Sequence, residues 1–230
     1  APDSSLANSA AYLRDLISSR QWGKPFTVTE YGHAFWNGHR REAVALVPAY
    51  AAFQGWDLLA QFSENSLQLS MQLPQPGRRA AIFPFTLSTD PVRRSGERLA
   101  ALLFARGDVA AAKGRVEWRM SADGELAHNG GWSQLNDTAS RLGLVTGVGL
   151  AFGSRDAPKP ALVLSQSQDF LVDKSQPGYQ VFAGAGSELR RAAKAGALMD
   201  DKAWADFDRG RHTSDTGELM LAARAGRMTV

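Results

Sequence analysis

The stretch Gly23-Lys24-Pro25-Phe26-Thr27-Val28-Thr29-Glu30-Tyr31-Gly32-His33 decides how this chain is read. A Gly-Lys-Pro turn opens a short run of β-branched and aromatic residues, the composition of a buried strand. The run delivers a carboxylate, Glu30, where the strand should end, followed by Tyr31, Gly32 and His33 and then by Phe35 and Trp36. Parallel α/β architectures place their chemistry at the carboxyl ends of strands. A glutamate there, ringed by aromatic side chains, points to sugar chemistry, in which a carboxylate attacks or stabilises an anomeric carbon.

The residues that follow extend the pattern. Arg40 to Phe53 is alanine-rich with helical spacing, placing Ala43, Val44, Val47, Tyr50 and Ala51 along one stripe that Gln54 could extend. Pro48 predicts a break or kink near Val47. A second apolar strand, Gly55-Trp56-Asp57-Leu58-Leu59-Ala60-Gln61-Phe62, ends in Ser63-Glu64-Asn65. Strand, carboxylate, loop, helix and strand make one βαβ unit. Its parallel crossover puts Glu30 and Glu64 at the same end of neighbouring strands.

These residues resemble the end of a (β/α)8-barrel glycoside hydrolase. More narrowly, Thr29-Glu30-Tyr31-Gly32, a helix, and then Gln54-Gly55-Trp56-Asp57 with an apolar strand are similar to the clan whose catalytic glutamates sit on strands four and seven. The likeness covers residues 1–108 and is most specific at 24–33 and 54–62. Ser88-Thr89-Asp90-Pro91 and Phe104-Ala105-Arg106-Gly107-Asp108-Val109 look like segments that follow the barrel in some bacterial members. The resemblance makes Glu30 the strand-seven nucleophile and 57–62 strand eight. It implies an oligo- or polysaccharide substrate, no cofactor, and a secreted or periplasmic setting.

The family's acid/base glutamate lies on strand four, upstream of the nucleophile. Only 29 residues precede Glu30 here and none is a glutamate. They hold one helix, from about Ser5 to Ser19, with Leu6, Ala10, Leu13, Leu16 and Ile17 on one face and Ser4 or Ser5 as N-cap. A complete barrel takes at least about 200 residues. The expectation is therefore the last βα units of an incomplete barrel, a portion of a longer enzyme that is inactive alone for want of its proton donor.

Composition fits a globular origin, with 44% apolar and 21% charged residues. The net charge of +3 comes from 26 basic and 23 acidic residues spread along the chain, and no aromatic-interleaved basic stripe builds up, which argues against nucleic acid as partner. With no cysteine there are neither disulfides nor thiolate metal sites, and the four histidines show no metal-ligand spacing. No apolar run approaches the length of a membrane span, so no membrane partner is expected.

Past Phe62, residues 63–90 are rich in Ser, Gln and Pro and read as loops at the active-site face, with Met71, Leu73, Phe83 and Phe85 as anchors. Pro91 to Phe104 reads as the last barrel helix, with Asp90 as cap and Gly107-Asp108 at its exit. From Val109 onward short strands are predicted: 115–120 before an Ala122-Asp123-Gly124 turn, then 144–152, 161–164, 170–172 and 179–183, with a hairpin of 219–222 against 226–230. Segments 187–198 and 201–207 read as short helices or insertions. Strands so punctuated suggest a β-sandwich-like domain over 109–230, an α/β unit thus being followed by an all-β one.

Besides Glu30, the candidate substrate-binding residues are Tyr31, His33, Trp36, Phe62 and Glu64. Trp36, in the loop after Glu30, can stack on a sugar ring, whereas Trp56 at a strand start reads as core. Glu64 is the other carboxylate at the same sheet end, one strand away and so in reach of an acid's role. It reads rather as a loop residue or a partner for substrate hydroxyls, because the family resembled puts the acid elsewhere. Arg106-Gly107-Asp108 reads as a helix exit, and no Gly-x-Ser-x-Gly elbow is present. A different class of function stays open: a non-catalytic carbohydrate-binding or structural protein, favoured by the β-rich half and the six tryptophans.

Overall fold

The decisive stretch forms β1 (Thr27–Tyr31), and the second apolar run forms β2 (Leu58–Gln61). In the computed structural model, which describes residues 4–63, 84–87, 90–120, 132–135, 137–152, 160–165, 179–182 and 186–230, the two strands pair in parallel. Thr27 faces Leu58 and Tyr31 faces Gln61, with an irregularity between Val28 and Tyr31. Strict alternation would have put Glu30 on the covered side with Val28. The register shift buries Tyr31 instead and leaves Thr27, Thr29 and Glu30 exposed.

Between the strands runs α2 (Arg41–Gln54), after α1 (Ala11–Ser18) at the start of the chain. Pro48 lies inside α2 without ending it, so of the predicted break or kink the break does not occur. Proline within a helix costs about 3 kcal/mol. Here that is offset by packing on almost every side, because Val44, Leu46, Val47, Tyr50, Ala51 and Phe53 are all buried. The helix stops at Gly55, whose φ of 64° suits a residue without a Cβ.

The first helix is shorter than the predicted 5–19. Ser9 and Ala10 take left-handed backbone angles (φ 55° and 54°), which separates a turn over 5–10 from α1. Ser4 caps that turn by accepting the Ala7 N–H at 3.1 Å, and Asn8 accepts the Ala11 N–H at 3.2 Å.

Helix α3 (Pro91–Ala100) starts as its sequence predicts, with the Asp90 carboxylate accepting the Val92 N–H at 3.0 Å. It continues as one wider turn, Ala101–Ala105. Arg106 then donates from Nε to Asp108 at 2.7 Å, so the Arg-Gly-Asp tripeptide is closed on itself at the helix exit.

The second half comprises β3 (Arg115–Met120), β4 (Trp132–Leu135), α4 (Asp137–Arg141), β5 (Gly147–Phe152), β6 (Ala161–Ser165), β7 (Tyr179–Phe182), α5 (Gly186–Ala195), α6 (Asp201–Asp208), β8 (Arg211–Thr213), β9 (Met220–Ala222) and β10 (Arg227–Thr229). The predicted strands are largely present, but their pairing differs from a sandwich, whose sheets are antiparallel. β3 lies between β5 and β6 and is parallel to both, and β4 is parallel to β7. Among the described residues only β8, β9 and β10 pair antiparallel, giving the predicted terminal hairpin. Parallel neighbours need crossovers, and the short helix α4, which lies between β3 and β5 in the chain, was not predicted.

Segment 20–22, just before β1, docks on the free side of β5: Trp22 N–H donates to Leu150 O at 2.8 Å, and Leu150 N–H to Arg20 O at 2.6 Å. Leu13 and Ile17 of α1, Tyr50 and Phe53 of α2, Val116 and Trp118 of β3, Leu162 of β6 and Trp204 of α6 belong to one buried cluster. Side chains on either side of the expected boundary at 108/109 thus share a core. The predicted strand at 170–172, the turn 122–124, and Met71, Leu73 and Phe83 lie outside the described residues.

Candidate functional site

β1 and β2 bring Glu30, Tyr31 and Phe62 to one edge. The Phe62 N–H donates to Tyr31 O at 2.9 Å, so the chain leaves both strands at the same level. Glu30 is exposed, and among the described residues its carboxylate has no hydrogen bond or ion pair. Three other acids of the first half are occupied. Glu42, buried on α2, accepts from Ser4 Oγ at 2.9 Å, the Leu6 N–H at 3.1 Å and His39 Nδ1 at 3.0 Å. Asp57 accepts the Phe26 N–H at 2.8 Å, and Asp90 accepts from Arg40 Nε at 2.7 Å.

Tyr31 is buried beneath this edge. Burial pushes its phenol up to about 12, against the pull of Arg93 and with help from Glu97, so it stays protonated at neutral pH. His33 is half-buried and occupied by the N-terminal turn: Nε2 is 2.9 Å from Ser5 Oγ, and its ring meets Tyr12 edge-on at 5.2 Å. Burial lowers its pKa; Glu42 opposes this, and Arg93 and His39 add to it. His33 therefore acts as a neutral anchor of the loop after β1. Trp36 is 69% exposed, which leaves its indole faces free for a flat ligand. Phe62 is half-buried, its ring 5.7 Å from that of Phe85. Glu64 lies outside the described residues.

The structure adds residues that the sequence did not single out. Arg93, on the first turn of α3, is 1% exposed. Its Nη1 donates to Phe85 O at 2.6 Å and its Nη2 to Phe62 O. Arg40 lies over the Phe35 ring at 5.1 Å while paired with Asp90, tying the loop after β1 to the start of α3. In the sequence Arg93-Arg94 is one of several scattered basic pairs. The usable signal was Gly96: three residues on and on the same face, it has no side chain, so α3 lies close to Val44 of α2 and Arg93 faces inward.

Among the described residues no group of three or more His, Asp or Glu side chains could hold a metal ion, and no helix is long and apolar enough to cross a membrane. A carboxylate that is exposed and, among the described residues, unpaired at the end of parallel strands can act as a nucleophile or as an acceptor for hydroxyl groups. No protein-family model matches the chain, and no curated protein or solved structure matches it either.

Proposed function

We propose that this chain carries the nucleophile end of a retaining glycoside hydrolase, with Glu30 as the attacking carboxylate. The supporting observation is the parallel β1–α2–β2 unit, in which Glu30 and Phe62 leave their strands side by side and the Glu30 carboxylate stays exposed and, among the described residues, unpaired. In a retaining mechanism the carboxylate oxygen bonds to the anomeric carbon as the glycosidic C–O bond breaks, and a second carboxyl group about 5–5.5 Å away protonates the departing oxygen. Water then attacks the same carbon, gives up its proton to the second group, and releases Glu30. Glu42, Asp57 and Asp90 are bonded elsewhere, and by the family resemblance the proton donor in this reading comes from strand four of the longer enzyme. Trp36 stacks on the sugar, and Tyr31 supports the strand end from below. The substrate is an oligo- or polysaccharide.

A dinitrophenyl fluoroglycoside tests the role of Glu30 directly. Dinitrophenolate leaves without being protonated, so a nucleophile can be trapped even where the acid is absent. Incubation with gluco, galacto and manno probes is expected to add one fluoroglycosyl mass to the peptide bearing Glu30, and none in Glu30→Gln. Labelling elsewhere, or on none of the probes, would overturn the assignment. Calorimetric glycan binding that survives Glu30→Gln without any adduct would favour the non-catalytic carbohydrate-binding alternative.

A further inference from the structure

We propose that Arg93 is a positioning residue for the Glu30 edge, a clamp that sets the spacing of the two strand ends; this rests on the reading of Glu30 as nucleophile. The guanidinium joins three segments that are far apart in the chain. Nη2 donates to Phe62 O, just past β2, and Nη1 donates to Phe85 O at 2.6 Å. On the β1 side it lies against Gly32: a Cβ built there would come 2.6 Å from Nη2 and 3.4 Å from Phe62 O. Gly32 also has a φ of 142°, so the absence of a side chain suits both the backbone and the close approach.

The bonds form a ring. Phe85 O accepts the Ser63 N–H at 2.9 Å as well as Arg93, and Leu87 N–H returns to Ser63 O at 3.1 Å. Phe62 N–H donates to Tyr31 O at 2.9 Å, so fixing Phe62 also fixes the residue next to Glu30. The base of the clamp is held in turn. Asp90 caps α3 through the Val92 N–H and pairs with Arg40, which keeps the first turn of the helix, and Arg93 with it, in place. A planar fork can bridge two carbonyls at a set angle, whereas a lysine ammonium with the same charge cannot reproduce that geometry. Nucleophilic attack is sensitive to such placement, an error of about 1 Å costing about a hundredfold in rate.

The test compares wild type, Arg93→Lys, Arg93→Met and, as a destabilised control away from the edge, Gln54→Leu, all well below their unfolding midpoints. Two quantities are read: amide hydrogen exchange over 31–33 and 62–63, and the rate of Glu30 labelling by the fluoroglycoside probe. Both Arg93 variants should exchange faster at those two segments and label at least about tenfold more slowly, while Gln54→Leu keeps the wild-type labelling rate. Unchanged exchange in the Arg93 variants would remove the clamp. Faster exchange with wild-type labelling would remove its positioning role, as would an equal loss in Gln54→Leu. A wild-type chain that is not labelled at all would remove the Glu30 assignment itself, and the exchange data would then decide the clamp alone.

Discussion

Gln54 Oε1 accepts the Val148 N–H at 2.9 Å, across 94 positions of sequence. The same amide donates from Nε2 to Gly143 O at 2.7 Å and to Thr146 O at 2.9 Å, and the side chain is 1% exposed. One residue at the end of α2 thus satisfies three backbone groups at the entry to β5. Gln54→Leu would leave those groups unpaired in a dry environment and should cost about 2–4 kcal/mol. Urea denaturation followed by tryptophan fluorescence measures it, and a loss within the error of the method would show that water substitutes there.

Glu30 is expected to contribute to chemistry and not to stability. Because its carboxylate is exposed and unpaired among the described residues, Glu30→Gln should change the unfolding free energy by less than about 0.5 kcal/mol. Trp36→Ala should be similarly neutral to the fold, yet weaken sugar binding or labelling. A large stability loss in either variant would mark the residue as structural.

Acid should unfold the protein partly through His212. This residue is fully buried, with the Phe207 ring edge-on at 4.9 Å, and neither ring nitrogen has a hydrogen-bond partner among the described residues. Burial, reinforced by the charges of Arg141 and Arg14 and opposed by Asp137, lowers its pKa to about 4. The folded value lies below the unfolded one, so the unfolded chain takes up the proton first. Stability is fully present above about pH 6.5 and falls as the pH drops toward 4, by up to about 3 kcal/mol. Denaturant midpoints between pH 7 and 4 should show this slope, and His212→Phe should flatten it. Asp137 contributes in the same direction at lower pH: burial raises its pKa, but Arg14 and Arg141 together hold it below the ordinary value.

Asp215 fastens the terminal hairpin to the segment between α3 and β3. Its carboxylate accepts the Lys113 N–H at 3.1 Å, the Gly114 N–H at 2.8 Å and Thr146 Oγ1 at 2.9 Å. Asp215→Ala should cost about 2–3 kcal/mol and speed proteolysis within 211–229. Asp215→Asn, which keeps one acceptor oxygen, should be intermediate. Equal protection in all three proteins would show that the other ties, the Ala110 N–H on Glu218, the Asp215 N–H on Val145 O and the packing of Leu219 and Leu221, hold the segment without the Asp215 carboxylate.

Much of the first half was legible because local rules and tertiary structure agree there. The Gly-Lys-Pro turn, the β-branched run and the Asp90-Pro91 helix start each name their own conformation, and β1, β2 and α3 follow. Pro48 gives no break because the packing around α2, which a local penalty does not include, holds the helix together. The parallel pairing of β3, β5 and β6 was hidden because alternation reveals which face a strand buries, and not which neighbour it takes or in which direction. At the site, Glu30 and Trp36 were readable as a carboxylate and an aromatic after a strand. Arg93 was not, since nothing in Arg93-Arg94 says which of the two charges turns inward until the position of Gly96 on the helix face is considered.

The core that joins α1 and α2 to β3, β5 and α6 bears on how such a chain can be recombined. A swap that grafted the carboxylate-bearing half onto a new tail at residue 109 would tear Gln54 from Val148 and uncover Tyr50 and Phe53. Descent with modification, or an engineer, would have to inherit both halves as a single cassette.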